Sequence, residues 1–212
     1  MLKPRILIAD DHVLVAEACK KLLEPEYDIV GIVNDGRTLV RAAAELKPDV
    51  VLIDIGMPIL NGLDAGQQIK EAMPSIKIVY LTMNADVDLA AEAFRRRASG
   101  YVLKTGAASE LLTALRAVLR GGTFLSPAFS RDTVGFLVRQ KKEVVAEGER
   151  LTDRQREVLQ LLAEGKSMKE VAAILNVATR TIAFHKYRMM EVLRMRSNAE
   201  LVQYAIKHHM VA

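Results

Sequence analysis

Side chains that could bind a metal ion or a phosphoryl group follow four apolar segments in the first half of the sequence. They are Asp10, Asp11, Asp54, Thr82 and Lys104. Three carboxylates brought close together repel one another unless a cation lies among them, and oxygen ligands with room for water suit a small hard ion such as Mg²⁺. The hydroxyl and the ammonium group are suited to binding phosphoryl oxygens. Together these residue types could hold a phosphoryl group beside a metal ion, with one carboxylate as the acceptor.

The elements that would position these residues alternate between strand and helix over the first 120 residues. Five short apolar segments have strand character: Arg5–Ala9, Asp28–Val33, Asp49–Ile53, Lys77–Leu81 and Gly100–Leu103. Five segments have helical spacing: Val13–Leu23, Thr38–Leu46, Gly62–Ala72, Val87–Arg96 and Ala108–Leu119. This alternation predicts an α/β fold of the flavodoxin-like type, a doubly wound sheet of five parallel strands. Because the carboxyl ends of such strands meet at one edge, the five side chains are expected to converge there.

Each of these side chains also has an ordinary interpretation. A single Asp after a strand is commonly a turn residue or a helix cap, and Thr82 or Lys104 alone would usually lie in a solvated loop. Suitable chemistry at four of five strand ends is hard to explain in this way. The coincidence favours a site over a set of unrelated loop residues.

Composition and charge divide the chain into two unequal parts. Of the 212 residues, 50% are hydrophobic, and no apolar run approaches the roughly 18 residues of a membrane span. The single cysteine, Cys19, lies among apolar residues and is expected to pack in the core. Because one cysteine cannot form an internal disulfide and no apolar run is long enough to span a membrane, we expect a cytosolic protein without a membrane partner. Residues 1–120 hold 15 basic and 16 acidic residues, whereas residues 151–212 hold 10 and 6. This imbalance favours a nucleic-acid partner for the C-terminal part.

Four stretches of the chain resemble the receiver domains of two-component response regulators, over roughly residues 3–121. They read ILIADDH, VVLIDIGMPILNGLD, IVYLTMNAD and GYVLKTGA. The resemblance implies that Asp54 is phosphorylated, with a sensor histidine kinase as partner. It also implies that Asp10, Asp11 and Asp54, with the backbone carbonyl of Gly56, hold Mg²⁺. Thr82 and Lys104 would contact the phosphoryl group.

A switch follows from the same resemblance. Phosphorylation adds negative charge and oxygen acceptors at Asp54, towards which Thr82 can move to donate a hydrogen bond. Tyr101 would then turn inward and change the face made by the fourth helix and the fifth strand. The alternative for Tyr101 is a half-buried strand aromatic without a switching role.

The segment Arg95–Arg97 departs from the usual receiver pattern of small residues and a helix-ending glycine. Cations at a helix C-terminus complement the helix dipole, so this segment is predicted to be a solvated helix end. The alternative is that it modifies dimerisation, because it lies near the expected output face.

The C-terminal part reads as an all-α domain of four helices. Three hydroxyl residues each precede Gln or Glu by three positions, which is the capping-box pattern: Thr152 and Gln155, Ser167 and Glu170, Ser197 and Glu200. Gly165 is expected to end the first helix. Two helices about 8 to 12 residues long with a tight turn, followed by a basic helix at about residues 179–194, predict a helix-turn-helix. Ile182 and Met189 would point inward. We expect domains at residues 1–121 and 150–212, and a linker at 122–149 with a short helix near 130–138.

Residues 150–208 resemble the LuxR-type DNA-binding domain, and a receiver followed by this module is similar to the NarL/FixJ class of regulators. The positions that become candidates for contacts with double-stranded DNA are Lys169, Thr179, Arg180, Ala183, Phe184, Lys186, Tyr187 and Arg188. A solvated amphipathic helix would carry similar charges. Ala178 stands where a capping Ser is common. Ala183, Phe184 and Tyr187 replace more polar types, so we expect base reading through thymine methyls or DNA shape.

The leading hypothesis is a phosphorylation-switched, homodimeric transcription factor that is not an enzyme, with RNA polymerase as a further candidate partner. The last helix offers either a dimer surface or core packing through Leu201, Val202, Ala205 and Ile206. A first alternative is a phosphotransferase or phosphatase that turns over on Asp54, but Gly56 stands where such enzymes carry a second acid. A second is a DNA-binding regulator whose receiver is never phosphorylated and acts only as a dimerisation scaffold.

Overall fold

The computed structural model describes residues 3–106, 108–129 and 151–211. The strands of its N-terminal part are β1 (Arg5–Ala9), β2 (Asp28–Val33), β3 (Val50–Asp54), β4 (Lys77–Thr82), β5 (Gly100–Leu103) and β6 (Phe124–Leu125). The helices are α1 (Val13–Leu23), α2 (Gly36–Leu46), α3 (Gly62–Ala72), α4 (Val87–Arg95) and α5 (Ala108–Leu119). All strands pair in parallel in the order β2-β1-β3-β4-β5-β6. The predicted doubly wound, flavodoxin-like fold is confirmed.

The sheet has six strands, so the prediction of five was wrong by one. β6 adds only two residues, with Phe124 beside Gly100 and Leu125 beside Tyr101. A two-residue strand carries no alternating pattern that could reveal it in the sequence. It forms because Gly121, at a φ of 86°, lets the chain turn after α5 and return along the free edge of β5.

Helices cover both faces of the sheet, and each face has its own apolar core. Every residue of β3 is buried, as expected for a central parallel strand. Leu7, Val51 and Ile53 face one core, and Ile6 and Leu52 face the other. Cys19 lies in the second core, which confirms its predicted packing role; burial raises the pKa of its thiol to about 11.

Four helices form the C-terminal part around a third apolar core: α6 (Asp153–Ala163), α7 (Met168–Leu175), α8 (Thr179–Val192) and α9 (Asn198–Lys207). The reciprocal capping boxes before α6 and α7 are confirmed. The third box is wrong in one half, because Ser197 accepts from the Glu200 amide while the Glu200 carboxylate accepts from the backbone N–H of Arg196. Gly165, at a φ of 83°, follows α6 and ends it as predicted.

The predicted helix near residues 130–138 and most of the expected linker lie outside the described residues. Among the helices that are described, none combines the length and the apolar character needed to cross a lipid bilayer.

Candidate functional site

The carboxyl ends of β1, β3 and β5 bring three charged side chains into contact. The Nζ atom of Lys104 lies 2.8 Å from Oδ2 of Asp10 and 2.9 Å from Oδ2 of Asp54. Asp10 is 3% exposed and Asp54 is 6% exposed. The parallel register aligns β1 with β3 and β3 with β4, so residues that follow these strands share one edge. Residues from positions 10, 54 and 104 therefore form one pocket.

The charge state of Lys104 follows from these contacts. Burial alone would lower the pKa of its ammonium group, but hydrogen bonds to Asp10 and Asp54 and the charges of the two carboxylates raise it. Lys104 therefore stays charged and balances part of the negative charge. Because one cation faces a group of three carboxylates, the pocket keeps a net negative charge that suits a divalent cation.

The ligand atoms that could hold a metal ion come from Asp10, Asp11, His12 and Asp54, and they lie within 4.8 Å of one another. The three carboxylates are hard oxygen donors of the kind that Mg²⁺ prefers, so the donor set fits this ion. Sequence reasoning missed His12, whose Nδ1 lies 2.9 Å from Oδ1 of Asp11. Its position directly after the two acids was the only available signal, and its side chain is 68% exposed.

Thr82 and Tyr101 are linked through the backbone of Asn84, a residue that sequence reasoning also missed. Oγ1 of Thr82 accepts a hydrogen bond from the Asn84 amide at 3.1 Å, and the Tyr101 hydroxyl donates to the Asn84 carbonyl at 3.2 Å. Tyr101 is fully buried, so its interpretation as a half-buried aromatic is wrong. Its ring packs edge-to-face on Phe129, with 5.4 Å between centroids. A displacement of Thr82 would thus reach Tyr101 through one loop residue.

Arg96 is not part of a solvated helix end, which corrects the prediction for Arg95–Arg97. Its guanidinium group lies 2.6 Å from Oδ1 of Asp64 on α3 and 2.8 Å from Oε1 of Glu92, and its side chain is only 13% exposed. The same Oδ1 atom of Asp64 accepts from Nε of Arg156 on α6 at 2.7 Å. Arg97 alone fits the predicted exposed end. Arg96 and Arg156 meet on one carboxylate because α6 packs against the receiver.

Burial and the neighbouring arginines act in opposite directions on the pKa values of Asp64 and Glu92. Burial alone would raise the pKa of the Asp64 carboxyl, but Arg156 and Arg96 hold it below its ordinary value. Glu92 behaves in the same way, since Arg96 and Arg95 lower its pKa to about 2 against the effect of burial. The acids are therefore ionised at neutral pH, and their charges are paired.

One side of the expected DNA-binding helix α8 is buried in the third core, and the opposite side is exposed to solvent. Ile182 and Met189 are fully buried in the third core, as predicted. Phe184 and Tyr187 are 66% and 64% exposed, which is unusual for large aromatic side chains. The Phe184 ring meets the ring of His185 edge-on with 5.7 Å between centroids, and Nζ of Lys186 lies 5.8 Å from the Tyr187 ring centroid. Most of the other candidate contact residues are exposed as well, namely Lys169, Thr179, Arg180 and Arg188, while Ala183 and Lys186 are half-buried.

Two details of the helix-turn-helix bear on the sequence expectations. Within residues 151–211, Ala178 is the N-cap of α8 and gives it no side-chain cap hydrogen bond. In α9, Leu201 and Ala205 lie in the core, so they cannot form a dimer surface without unfolding the domain. Ile206 is 51% exposed and remains available for one.

Comparisons with known proteins agree with this architecture. Residues 6–116 match the family described as response regulator receiver domain, and residues 149–205 match the luxR family of bacterial regulatory proteins. The chain is 34% identical to the oxygen regulatory protein NreC of Staphylococcus carnosus, covering 96% of this chain and 97% of that protein. It is 31% identical to the transcriptional regulatory protein MctR of Rhizobium johnstonii, covering 99% and 96%.

Solved structures give the same result. A structure of the Salmonella typhimurium response regulator RcsB aligns with a TM-score of 0.63 at 30% identity, covering 98% of both chains. A structure described as two RcsB dimers bound to two parallel DNAs aligns with a TM-score of 0.57 at 30% identity, covering 96% of this chain and 98% of that one. The fold and the pocket thus define a receiver domain joined to a helix-turn-helix domain. This chain belongs to the NarL/FixJ class of DNA-binding response regulators, which are transcription regulators of two-component systems and not classical enzymes.

Proposed function

We propose that this chain accepts a phosphoryl group on Asp54 and that phosphorylation controls its binding to promoter DNA. The observation that carries the proposal is the position of Lys104, which touches both Asp10 and Asp54 at the edge of the sheet. A buried carboxylate beside a fixed cation is poised to receive a transferred group whose charge that cation can balance.

Mg²⁺ would be the cofactor, and Asp10, Asp11, Asp54 and the backbone carbonyl of Gly56 would hold it. When bound, it would balance the charge of the carboxylates and of the phosphoryl oxygens. The protein's own side chains would carry out the transfer. The Asp54 carboxylate attacks phosphorus, the bond to the donor's leaving group breaks, and Lys104 binds a phosphoryl oxygen.

Thr82 would carry the signal out of the pocket. Its hydroxyl now accepts from the Asn84 amide, and it can turn to donate to a phosphoryl oxygen instead. Asn84 would then lose one partner while its carbonyl still binds the Tyr101 hydroxyl. Tyr101 is already inward, so we expect the switch to shift the β4–α4 loop around it rather than to bury the ring anew.

The remaining parts of the proposal concern DNA and partners. Residues 1–121 would form the receiver, 122–149 the linker, and 150–212 the DNA-binding domain. Lys169, Arg180 and Lys186 would contact phosphates, with Ala183, Phe184 and Tyr187 facing the bases and Thr179 and Arg188 beside them. A cytosolic homodimer would read paired half-sites, a sensor histidine kinase would supply the phosphoryl group, and RNA polymerase is the proposed downstream partner.

Selection of DNA from a random pool, with and without acetyl phosphate and Mg²⁺, tests this function. We expect a selected sequence with two-fold symmetry, enriched more strongly when the donor is present. The Asp54→Ala variant should select the same sequence but show no effect of the donor. An equal donor effect in wild type and Asp54→Ala would contradict the proposal. If beryllofluoride also leaves wild-type binding unchanged, the receiver acts only as a dimerisation scaffold.

A further inference from the structure

The end of strand β5, which carries Lys104 into the pocket, is held by a side chain as well as by a neighbouring strand. The backbone N–H of Leu103 donates to Oγ of Ser126 at 2.9 Å. The next amide, that of Lys104, donates to the Thr82 carbonyl on the β4 side at 2.8 Å. The backbone from which the Lys104 side chain extends is therefore fixed from both sides, by β4 and by Ser126.

Ser126 provides its side chain here because the chain leaves the sheet at this point. Strand β6 ends at Leu125, and the Ser126 amide still donates to the Tyr101 carbonyl at 2.9 Å. The Ser126 carbonyl, however, accepts from the Phe129 amide at 3.0 Å and is thus engaged in a turn. A buried N–H without a partner is costly. The Ser126 hydroxyl therefore supplies the acceptor that the next step of the parallel ladder requires.

Glu110, in the first turn of α5, accepts a hydrogen bond from the same hydroxyl. Oγ of Ser126 donates to Oε1 of Glu110, so this hydroxyl acts as acceptor and donor at once. The Glu110 carboxylate also lies against the turn that follows Lys104, because a Cβ atom at Gly106 would lie 2.7 Å from Oε2 of Glu110. The Gly106 amide closes that turn by donating to the Leu103 carbonyl at 3.0 Å. One carboxylate thus contacts both the end of β6 and the turn after Lys104.

Ser126 lies outside the part of the chain in which the pocket residues were expected. Residues 6–116 match the receiver family, and the predicted linker begins at residue 122. The partners of Ser126 are 23 and 16 residues away, at Leu103 and Glu110, so no local pattern indicates its role. Its exposure of 1% nevertheless places it in the interior of the receiver.

We propose that Ser126 and Glu110 are positioning residues for Lys104 in phosphoryl uptake. This role rests on the proposed function of Asp54. The Lys104 ammonium group lies at the end of a flexible aliphatic stem, and it stays 2.9 Å from Oδ2 of Asp54 only while the backbone that carries it stays in place. Ser126 fixes this backbone directly, and Glu110 fixes the Ser126 hydroxyl. Both residues act through Lys104 and not by contact with the phosphoryl group.

Amide hydrogen exchange of the full chain, without metal or phosphoryl donor, tests the contact. In Ser126→Ala, the Leu103 amide loses its acceptor and should exchange at least about tenfold faster than in wild type. Ser75→Ala, the same substitution at an exposed position before β4, should leave the Leu103 rate unchanged. A Leu103 amide that exchanges at the wild-type rate in Ser126→Ala would overturn the positioning role.

The initial rate of phosphoryl uptake from acetyl phosphate, at saturating Mg²⁺ and donor, tests the effect on chemistry. Ser126→Ala should slow uptake about tenfold, because the Lys104 ammonium group is still present but displaced. Glu110→Ala should also slow it, whereas Glu110→Gln should stay near the wild-type rate, since an amide oxygen still accepts from the Ser126 hydroxyl. Ser75→Ala should match wild type. Should Ser126→Ala fail to fold, Glu110→Ala and Glu110→Gln decide, and equal rates in these two would overturn the proposal.

A double-mutant cycle separates positioning from a general loss of structure. If Ser126 acts through Lys104, the Lys104→Met, Ser126→Ala double variant should take up label at the rate of Lys104→Met alone. A structural defect would slow uptake by the same factor with and without Lys104, and that result would overturn the positioning role. Normal labelling of both wild type and Ser126→Ala would contradict the positioning role alone. If wild type takes up no label while the Leu103 exchange rates differ as expected, the proposed function of Asp54 fails and the Ser126 contact stands.

Discussion

The pocket at Asp54 and the surface of α8 use charge in opposite ways. In the pocket, Lys104 is buried between Asp10 and Asp54, and its position is fixed by two contacts below 3 Å. On α8, Arg188 is exposed and pairs with Glu191 of the same helix. Buried charges are costly unless paired, whereas exposed ion pairs contribute little to stability. The pocket should therefore depend steeply on single residues, and the helix surface should respond in a graded way.

The cluster at Asp64 belongs with the pocket in this comparison, although it has no proposed chemistry. One buried carboxylate there serves two arginines from different domains. Among the described residues, buried charge thus fixes geometry both inside the receiver and between the domains.

Asp64→Asn should have the largest effect on stability. It leaves the guanidinium groups of Arg96 and Arg156 without their shared carboxylate, and such a loss typically costs about 3–5 kcal/mol. Denaturant unfolding of the full chain would measure it. Asp88→Asn, at an exposed position of the first turn of α4, is the control and should cost far less. Equal effects of the two changes would remove the distinction between buried and exposed charge.

Lys104→Met should come next and act on chemistry. Removing one fixed donor to a developing charge typically slows a reaction by about 10²–10³-fold. The initial rate of phosphoryl uptake from acetyl phosphate would measure this, with Lys21→Met, an exposed-lysine control on α1, expected at the wild-type rate. A Lys104→Met rate close to that of wild type would contradict the distinction between buried and exposed charge, because the pocket would then tolerate substitution as an exposed surface does.

Low pH should destabilise the protein through protonation of Glu92, which pairs with Arg95 and Arg96. Its pKa in the folded protein, about 2, lies below its ordinary value of 4.5, so its contribution to stability is present above pH 4.5 and is lost as the pH falls towards 2. After allowance for solvent screening, we expect about 1 kcal/mol from this source. The free energy of unfolding should therefore fall more steeply from pH 5 to pH 3 in wild type than in Arg96→Gln. Arg116→Gln, which removes an exposed pair with Glu26, should keep the wild-type slope.

Arg180→Gln should have the smallest effect on the folded protein and a measurable one on DNA. Its side chain is exposed, so the free energy of unfolding should change by less than about 0.5 kcal/mol. If it contacts a phosphate, the slope of log affinity against log salt concentration should fall by about 1. An unchanged slope would remove Arg180 from the interface and sharpen the assignment to Lys169 and Lys186.

What the sequence could predict depends on whether a feature is fixed by strand topology and local partners or by contacts between distant elements. The meeting of Asp10, Asp54 and Lys104 follows from topology alone, because parallel strands end at one edge. The capping boxes at Thr152 and Ser167 were equally predictable, since their partners are local. Position and residue type were enough in these cases.

Contacts between distant elements were not predictable in this way. Arg96 pairs with Asp64 on another helix, and Asp64 also pairs with Arg156 of the other domain. Neither partner is close to Arg96 in the sequence, so the local pattern suggested a solvated helix end. Gln160 looks like an ordinary polar residue of α6 in the sequence, but in the structure it accepts from the backbone N–H of Asn61 and donates to the backbone carbonyl of Met57. The two-residue strand β6 depends on a free edge of the sheet and not on its own sequence.

Mass spectrometry of the full chain after incubation with acetyl phosphate and Mg²⁺ tests the central claim most directly. The account predicts one phosphoryl group per chain, located on the peptide that contains Asp54 and absent from Asp54→Ala. A protein that stays unmodified, or that carries the group at another residue in both wild type and Asp54→Ala, would contradict it.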